Sequence, residues 1–350
     1  MVLTQQPGTP KLLYSYHRFR AFLLTGLMGI LVASCGALRN QGSDTSSDKG
    51  QSGTENTALA GPVAFSDSVG MGIAMNILAS DELKGRDTGS EGIEKAAVFL
   101  EDQLEHFGIR PYFATYRDTL SNSKEAAYNV VGFLEGSDPD LKDEYIVIGA
   151  HYDHIGVLPG KEGDGIANGA NDNASGTSTV LELARYFAGR TAPKRSLIFA
   201  FFSAEERGLL GSKHLARVLR EEGIDLYTML NFEMTGVPME KPYLMYLTGY
   251  ERSNLAEVCN RYGGENLVGY LPTASEYNLF QRSDNYAFYE EFKVPSHTFS
   301  TFDFENYAYY HQPGDEAFRM DFSHMAKLVN RVIPAISGIA NADGREITTK

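Results

Sequence analysis

The 350-residue sequence contains no tryptophan, only two cysteines and fewer basic than acidic residues. Two cysteines cannot form a framework of several disulfide bonds. Because 31 lysines and arginines stand against 45 aspartates and glutamates, the formal net charge is −14, which disfavours a nucleic acid as the partner. With 43% hydrophobic and 22% charged residues, the composition excludes a collagen, a coiled coil and a disordered protein.

The apolar run near the N terminus is short and follows a stretch that has basic but no acidic residues. This run, AFLLTGLMGILV at residues 21–32, is too short to span a hydrocarbon core of about 30 Å but suits a signal peptide. It ends in VASC at residues 32–35, which resembles the lipobox of bacterial lipoproteins. We therefore predict a lipoprotein signal peptide over residues 1–34 and a lipid anchor on Cys35. The expected location is the bacterial cell envelope, on the periplasmic or surface face of the outer membrane, with membrane contact only through this anchor.

The remaining chain divides into a short polar segment and one long folded segment. Residues 35–61 are rich in serine, glycine, threonine, asparagine and aspartate without a hydrophobic period, which is typical of a flexible tether. Residues 62–345 contain no internal repeat and no further linker, so we predict a single domain. Cys259 lies in an apolar helical pattern, which favours a buried structural thiol over a reactive one.

Apolar runs typical of strands and apolar periods typical of helices alternate beyond the tether. The predicted helices cover residues 90–107, 176–188, 211–222, 254–262 and 322–339, and the predicted strands cover residues 129–134, 145–150, 196–202, 227–232, 243–247 and 295–300. Asp321 is the expected N-cap of the last helix. Because helices separate the strands, we predict an α/β fold with a mostly parallel, doubly wound central sheet flanked by helices.

Imidazole and carboxylate side chains follow the predicted strands or lie in nearby loops. They are His151, Asp153, Glu205, Glu206 and Glu233 after the strands, Asp172 in a turn-rich segment and His311 in a late aromatic loop. Open α/β sheets bind ligands beyond the carboxyl ends of their strands, so we expect these groups to share one edge of the sheet. Each group alone has an ordinary explanation, such as helix capping by Asp172. Together their nitrogen and oxygen donors suit zinc.

Eight segments of the chain, in order, resemble one family of enzymes. They are LKGRDTGSEG, YNVVGFLEG, GAHYDHIG, NGANDNASGTSTVLELAR, FAFFSAEERGLLGSKHLA, NFEMTG, RSDNYAFY and YYHQPGDE. This pattern resembles the co-catalytic zinc aminopeptidases of the bacterial leucyl aminopeptidase type, whose superfamily includes glutamate carboxypeptidase II and glutaminyl cyclases. The resemblance covers roughly residues 75–340 and implies a zinc-exopeptidase architecture.

The resemblance also implies a centre with two zinc ions. His151 and Glu233 would bind one ion. Glu206 and His311 would bind the other, and Asp172 would bridge the two. The aminopeptidases usually have aspartate where this chain has Glu233, and the extra methylene moves the carboxylate outward by about 1.5 Å. Glutamate is itself a zinc ligand, so the site is expected to persist.

Two further residues would act beside the metal ions. Asp153 would orient the imidazole of His151. Glu205 would be the general base, which takes a proton from a water activated by the two ions and delivers it to the departing amine. The resemblance therefore implies a metal-dependent exopeptidase, most simply an aminopeptidase that acts on peptides with a free N terminus.

Three other functions are compatible with parts of this pattern. A glutaminyl cyclase would use a single zinc, but the cyclases typically have tryptophan before the final histidine, where this chain has Tyr310. A carboxypeptidase or dipeptidase of the same fold would differ mainly in its substrate pocket. A non-catalytic, receptor-like binding protein is disfavoured because the ligand pattern and Glu205 are both intact.

Several other residues allow two interpretations each. His154 is predicted as a polar loop residue in preference to a third imidazole ligand. Asp284 either approaches the substrate pocket or caps a helix, and Asp315 either supports a ligand or caps a loop. His324 is expected to make ordinary hydrogen bonds. Four aromatic side chains either line a specificity pocket or pack in the core, namely Phe280, Tyr286, Tyr309 and Tyr310.

Overall fold

The computed structural model describes residues 64–161 and 163–350. The predicted signal peptide, the predicted lipid anchor on Cys35 and the predicted tether all lie outside these residues. Within the described ranges, no helix is both long enough and apolar enough to cross a bilayer.

Eight α-helices are present in the described part of the chain. They are α1 (Ser68–Leu78), α2 (Glu91–Phe107), α3 (Gly176–Ala188), α4 (Leu210–Glu221), α5 (Leu255–Gly263), α6 (Pro272–Glu276), α7 (Asn285–Phe292) and α8 (Phe322–Asn341). Helix α2 begins after Ser90, whose hydroxyl accepts from the backbone N–H of Ile93, and it ends at Gly108 in the left-handed conformation. The predicted cap of α8 is confirmed, because the Asp321 carboxylate accepts from the backbone N–H of His324 at 2.9 Å.

Nine strands form one sheet within the same described residues. They are β1 (Arg110–Pro111), β2 (Arg117–Thr119), β3 (Tyr128–Leu134), β4 (Glu144–His151), β5 (Ser196–Phe202), β6 (Asp225–Glu233), β7 (Met245–Leu247), β8 (Val268–Gly269) and β9 (Ser296–Ser300). The order across the sheet is β1-β3-β5-β4-β6-β9-β7-β8, with β2 paired to β3. The central strands β5, β4, β6 and β9 are parallel, while β3 and β7 join them antiparallel. The predicted mixed α/β fold with a mostly parallel sheet is confirmed.

Strand β5 shows how the sheet is covered on both faces. All seven of its residues are buried, as its continuous apolar sequence predicts. Leu197, Phe199 and Phe201 pack in the cluster that includes side chains of α2, α3 and α8. The alternate residues of the strand pack in a second cluster with α4 and α7. Each fully buried phenylalanine contributes roughly 1.5–3 kcal/mol relative to an exposed one, so both helix layers hold the sheet.

The structure also contains elements that the hydrophobic pattern does not predict. Helices α1, α6 and α7 lie outside the helix ranges predicted from the apolar period, and the two-residue strands β1 and β8 are too short to leave a pattern. In α7 the buried face includes a polar residue, Asn285, whose amide donates to the carbonyl oxygens of Phe280 and Ser296. A buried polar residue interrupts the apolar period, so this helix leaves only a weak hydrophobic pattern in the sequence.

The parallel arrangement brings the ends of four strands to one edge. His151 ends β4, Phe202 pairs with it at the end of β5, and Glu233 ends β6 beside Ser300 of β9. The segments that follow β4, β5 and β6 therefore leave the sheet as neighbours. This edge contains the polar groups described next.

Candidate metal centre

Two clusters of imidazole and carboxylate groups share one aspartate at this edge. The first consists of His151, Asp172 and Glu233, and the second consists of His154, Asp172, Glu206 and His311. Within each cluster the donor atoms lie within 4.8 Å of one another. Asp172 Oδ1 is 3.3 Å from His151 Nε2, whereas Asp172 Oδ2 is 3.1 Å from His311 Nε2. The two oxygens of one carboxylate thus face two separate donor groups.

The backbone around Asp172 is held by a carboxylate from a later loop. Asp315 accepts from the backbone N–H of Asn171 at 2.7 Å and of Asp172 at 3.1 Å, and the hydroxyl of Tyr307 donates to it at 2.6 Å. Asp315 therefore supports the shared aspartate, one of its two predicted roles. The backbone N–H of Gly176, the first residue of α3, donates to the Asn173 side chain at 3.0 Å, so Asp172 does not serve as the helix cap that its sequence also allowed.

A buried arginine fixes the two segments that carry the first ligands. Arg86 is fully buried, and its guanidinium donates to the carbonyl oxygens of Tyr152 at 2.8 Å, Asn168 at 2.6 Å and Gly169 at 2.8 Å. Tyr152 directly follows β4, whereas Asn168 and Gly169 lie in the segment that leads to Asp172. Arg86 belongs to the LKGRDTGSEG segment, but no spacing in that segment indicates which carbonyl groups the side chain reaches.

Asp153 connects the end of β4 to the turn after β5. Its carboxylate is 3.6 Å from His151 Nδ1, which is too long for a direct hydrogen bond. The same carboxylate accepts from the backbone N–H of Glu205 at 3.1 Å and of Glu206 at 3.4 Å, and from the Thr88 hydroxyl at 3.3 Å. Asp153 therefore positions the two glutamates as well as lying beside His151.

The adjacent glutamates have different surroundings. Ala204 before them has a φ of +56°, a left-handed conformation in which the chain turns sharply after β5. Glu206 Oε1 lies 3.0 Å from His154 Nδ1 and 3.1 Å from His311 Nε2. Among the described residues Glu205 belongs to neither donor cluster, and it lines the neighbouring cavity instead.

Glu233 at the end of β6 is held by a serine from a distant loop. The Ser283 hydroxyl donates to Glu233 Oε2, and the Asn231 amide donates to the same hydroxyl at 2.8 Å. Asp284, next to this serine, is fully buried at the N-cap position of α7, but its side chain makes no capping hydrogen bond. The helix-cap interpretation of Asp284 is therefore wrong, because its carboxylate accepts no backbone N–H of the first turn.

The carboxyl groups over the cavity are difficult to ionise. Burial raises the pKa of Glu205 well above its usual range, although the nearby His151 opposes this and Glu233 adds to it. Burial likewise raises the pKa of Glu233 to about 7, against the effect of His151. These carboxyl groups would ionise more readily beside a cation.

The second cluster already behaves as an ion-paired group. Burial alone would raise the pKa of Asp172, but the imidazoles of His151 and His311, 3.3 Å and 3.1 Å from its oxygens, lower it well below the usual range. Burial also acts against Glu206, whose pKa is nevertheless lowered by hydrogen bonds from His154 and His311. The pKa of His311 is raised to about 10, because the two carboxylates outweigh the effect of burial.

The donor set fits divalent zinc. In the described part of the chain, Nε2 of His151 is buried without a hydrogen-bond partner, and it lies 3.3 Å from Asp172 Oδ1. Several carboxylates share this small volume, and buried like charges are costly unless cations compensate them. Imidazole nitrogen and carboxylate oxygen are the donors that zinc prefers beside thiolate. The residues present therefore suit a metal centre.

A cavity open to solvent lies beside the two clusters, and Asp172, Glu205 and Glu233 form part of its wall. Its other lining residues are Met234, Tyr246, Thr248, Leu279, Arg282, Ser283, Thr298, Ser300, Phe302, Phe304 and Tyr310. Of the four aromatic residues considered for a pocket, Tyr310 alone lines this cavity. Phe280 is buried in the core, because its loop turns the ring toward His297.

His154 differs from the prediction that it is a polar loop residue. It is completely buried, its ring lies against His311 with centroids 5.5 Å apart, and it belongs to the second donor cluster. The HYDHIG sequence places two imidazoles three residues apart after a strand, which is the only signal for this role. His324 also differs, since its Nε2 is buried without a partner among the described residues.

The chain is similar to known hydrolases in sequence. A family model described as peptidase family M28 matches residues 129–336. A probable leucine aminopeptidase of Trichophyton verrucosum is 30% identical over 237 residues, which cover 54% of this chain and 64% of that protein. The chain spans between 21% and 64% of the lengths of the eight curated relatives compared.

Solved structures with the same fold include two kinds of enzyme. The LapA aminopeptidase of Legionella pneumophila superposes with a TM-score of 0.63 and 23% identity, covering 79% of this chain and 71% of that chain. The glutaminyl cyclase of Porphyromonas gingivalis superposes with a TM-score of 0.60 and 16% identity, covering 78% of this chain and 99% of that chain. These likenesses show the fold, and the site itself must decide between the two activities.

Proposed function

This chain belongs to peptidase family M28, and on that basis we propose that it is a zinc-dependent aminopeptidase that removes N-terminal residues from peptides. The main support for this proposal is that the two adjacent glutamates lie in different surroundings. Glu206 joins a donor cluster, whereas Glu205 faces the cavity with a raised pKa. A metal ligand next to a free base is the arrangement that metal-assisted peptide hydrolysis requires.

The two donor clusters support a centre with two ions. His151 and Glu233 would hold one zinc ion, Glu206 and His311 would hold the other, and Asp172 would contact both. The Asp172 carboxylate supports this assignment, because each of its oxygens faces a different cluster. Zinc bound there would polarise the scissile carbonyl group and lower the pKa of a nearby water.

Glu205 supplies the proton transfer in this proposal. Its carboxylate takes the proton of the attacking water and then delivers it to the nitrogen of the departing amine. A general base works best when its pKa lies near the working pH, and burial moves Glu205 in that direction. Asp153 holds this group in place through the backbone N–H of Glu205.

The acidic lining of the cavity supports action at a free N terminus. Asp172, Glu205 and Glu233 line it, and their carboxyl oxygens can accept hydrogen bonds from an α-amino group. The basic residue that lines it among the described residues is Arg282, which is exposed, so a carboxypeptidase site for a terminal carboxylate has less support. A second donor cluster also supports a peptidase over a single-zinc cyclase.

Substitution of each glutamate separates the proposed roles. Glu206→Gln should lower zinc content together with activity. Glu205→Gln should keep the fold and both ions but lower kcat by about 10²- to 10⁴-fold, with a much smaller change in KM. The measurements are elemental analysis and steady-state kinetics on an aminoacyl amide.

Glu182→Gln is the matched control, because Glu182 is a buried glutamate outside the cavity that pairs with Arg185. It should change neither zinc content nor kcat. If Glu205→Gln removes metal and Glu206→Gln does not, the two roles are exchanged. Normal hydrolysis by both variants would place the reaction elsewhere in the chain.

Substrate comparison separates the aminopeptidase from its alternatives. The proposal expects hydrolysis of an aminoacyl amide and none of its N-acetylated form. Cyclisation of N-terminal glutaminyl peptides with one zinc per chain would support a glutaminyl cyclase instead. Release of C-terminal residues from N-blocked peptides would support a carboxypeptidase.

We also propose that the protein is a lipoprotein of the bacterial cell envelope. The support is the short apolar run and the VASC sequence that ends at Cys35. Acylation at this cysteine would attach the peptidase to the outer membrane through residues 35–61.

A further inference from the structure

One imidazole of the second cluster has no role in the proposed function. His154 lies three residues after His151 and is fully buried. Its Nδ1 is 3.0 Å from Glu206 Oε1 and 3.7 Å from Asp172 Oδ2. With His311 these residues form one group of four donors. His154 thus occupies the position of an additional ligand.

The ring of His154 is held in this position by its surroundings. Gly169 has a φ of +60°, and a Cβ on it would come within 2.5 Å of the His154 ring, so only glycine allows this contact. The backbone N–H of His154 donates to the carbonyl oxygen of Arg86 at 3.2 Å. The ring of His311 meets that of His154 edge to face. These contacts leave Nδ1 directed at the carboxylates.

The two donor clusters are therefore unequal. The first has three side-chain donors and adjoins the cavity through Asp172 and Glu233. The second has four, and neither of its imidazoles lines the cavity. Zinc sites with four protein ligands are typically closed and structural, whereas catalytic sites use three and keep a position for water or substrate.

We propose that His154 is a ligand of the second zinc ion, so that this ion is held by four side chains and the first ion by three. The second ion then binds more tightly and loads first, and the open position for substrate belongs to the first ion. This inference rests on the metal centre of the proposed function. The inference goes beyond the proposed function because it assigns unequal zinc affinities to the two sites and places the substrate at the first ion only.

The test measures zinc affinity directly, by competition with a chromophoric chelator and by elemental analysis. The wild-type protein should take up two ions with dissociation constants that differ by more than about 100-fold, since even residues outside the ligand shell change metal affinity 10- to 100-fold. His154→Asn and His154→Ala should both weaken the tighter ion by more than about 100-fold. His151→Asn should instead weaken the looser ion.

The asparagine variant distinguishes a ligand from a positioning residue. The amide nitrogen of asparagine can replace Nδ1 as a hydrogen-bond donor to Glu206 but is a poor ligand for zinc. Equal weakening in His154→Asn and His154→Ala supports coordination. Wild-type affinity in His154→Asn would overturn the proposal and leave His154 as a donor that positions Glu206.

His324→Asn is the control for loss of a buried imidazole, because His324 lies outside both clusters. It should leave both affinities unchanged. X-ray absorption of the unmodified protein with one equivalent of zinc provides a measurement that needs no variant. Two imidazole ligands are expected, from His154 and His311, and a single imidazole would overturn the proposal.

The same experiments separate this inference from the proposed function. Peptide hydrolysis by a wild-type protein whose two ions bind equally would contradict the role of His154 and leave the aminopeptidase intact. Unequal binding that depends on His154, without hydrolysis of any aminoacyl amide, would support the ligand assignment while removing the proposed activity.

Discussion

The extra methylene of Glu233 is matched by a side chain from another loop. The aspartate expected from the family resemblance would end about 1.5 Å short of the position that the Glu233 carboxylate reaches. Ser283 donates its hydroxyl to that carboxylate, and Asn231 in turn donates to Ser283. The glutamate is therefore part of a three-residue hydrogen-bond network.

Glu233→Asp should separate metal affinity from catalysis. The shorter carboxylate loses the hydrogen bond from Ser283, so zinc affinity at the first site should fall about 10- to 100-fold, while activity persists at saturating zinc. Ser283→Ala should cause a similar fall, because it removes the same hydrogen bond. Loss of all activity at saturating zinc in Glu233→Asp would show that the centre requires glutamate.

Asp284 makes stability depend on pH. Burial raises its pKa from 3.8 to about 7, so the folded protein holds this proton more tightly than the unfolded chain does. The free energy of unfolding should therefore fall as pH rises from about 4 to about 7. Asp284→Asn removes the contribution of this carboxyl group and should stabilise the metal-free protein at pH 8 by up to about 4 kcal/mol, with little effect at pH 4.

Urea unfolding of chelated protein at several pH values measures this effect. Asp225→Asn is a suitable control, because Asp225 is exposed at the start of β6 and far from the cavity. Its substitution should not change the slope of stability against pH between 4 and 7. A wild-type stability that rises over this range, together with destabilisation by Asp284→Asn, would contradict the buried neutral carboxyl group.

At the scale of elements, the turn after β5 depends on one carboxylate at the end of β4. Asp153 accepts from the backbone N–H groups of both Glu205 and Glu206. Its carboxylate therefore links the segment after β4 to the segment after the neighbouring parallel strand β5. The amide of Asp153→Asn can accept through one oxygen only. We expect a loss of about 1–3 kcal/mol in stability and a 10- to 100-fold lower kcat, measured by urea unfolding and kinetics.

Asp118→Asn is the control for this variant. Asp118 is also buried and accepts from the Asn129 amide at 2.8 Å, but it lies in β2, outside both donor clusters. It should reduce stability by a similar amount and leave kcat unchanged. An equal loss of kcat in both variants would mean that Asp153 acts through general stability alone.

At the scale of the whole molecule, the covalent anchor would confine the enzyme to a surface. Cys35→Ser should release the protein into the soluble fraction or block its processing, because acylation requires the cysteine thiol. Fractionation of cells that express the full chain, followed by mass spectrometry of the N terminus, measures this outcome. A Cys35→Ser protein that is cleaved normally and stays membrane-bound would contradict the lipoprotein prediction.

The regular elements were predictable because the signals for them are local. The complete burial of β5 follows from its six consecutive apolar residues, 197–202, and the ends of α2 follow from Ser90 and Gly108. The parallel sheet follows from the alternation of strands with helices. Helix α7 was not predictable, since Asn285 in its buried face is satisfied by carbonyl groups of other segments.

The sequence by itself determined the central strands of the sheet and the edge at which the seven candidate residues lie, because strand ends and motif residues are local features. Only the tertiary structure decided which other groups join them. His154, Ser283, Asp315 and Arg86 reach the centre through loops whose paths depend on contacts between distant segments. The same reason explains why Tyr310 lines the cavity while Phe280 packs in the core, since the direction of a loop side chain is set by its neighbours in space.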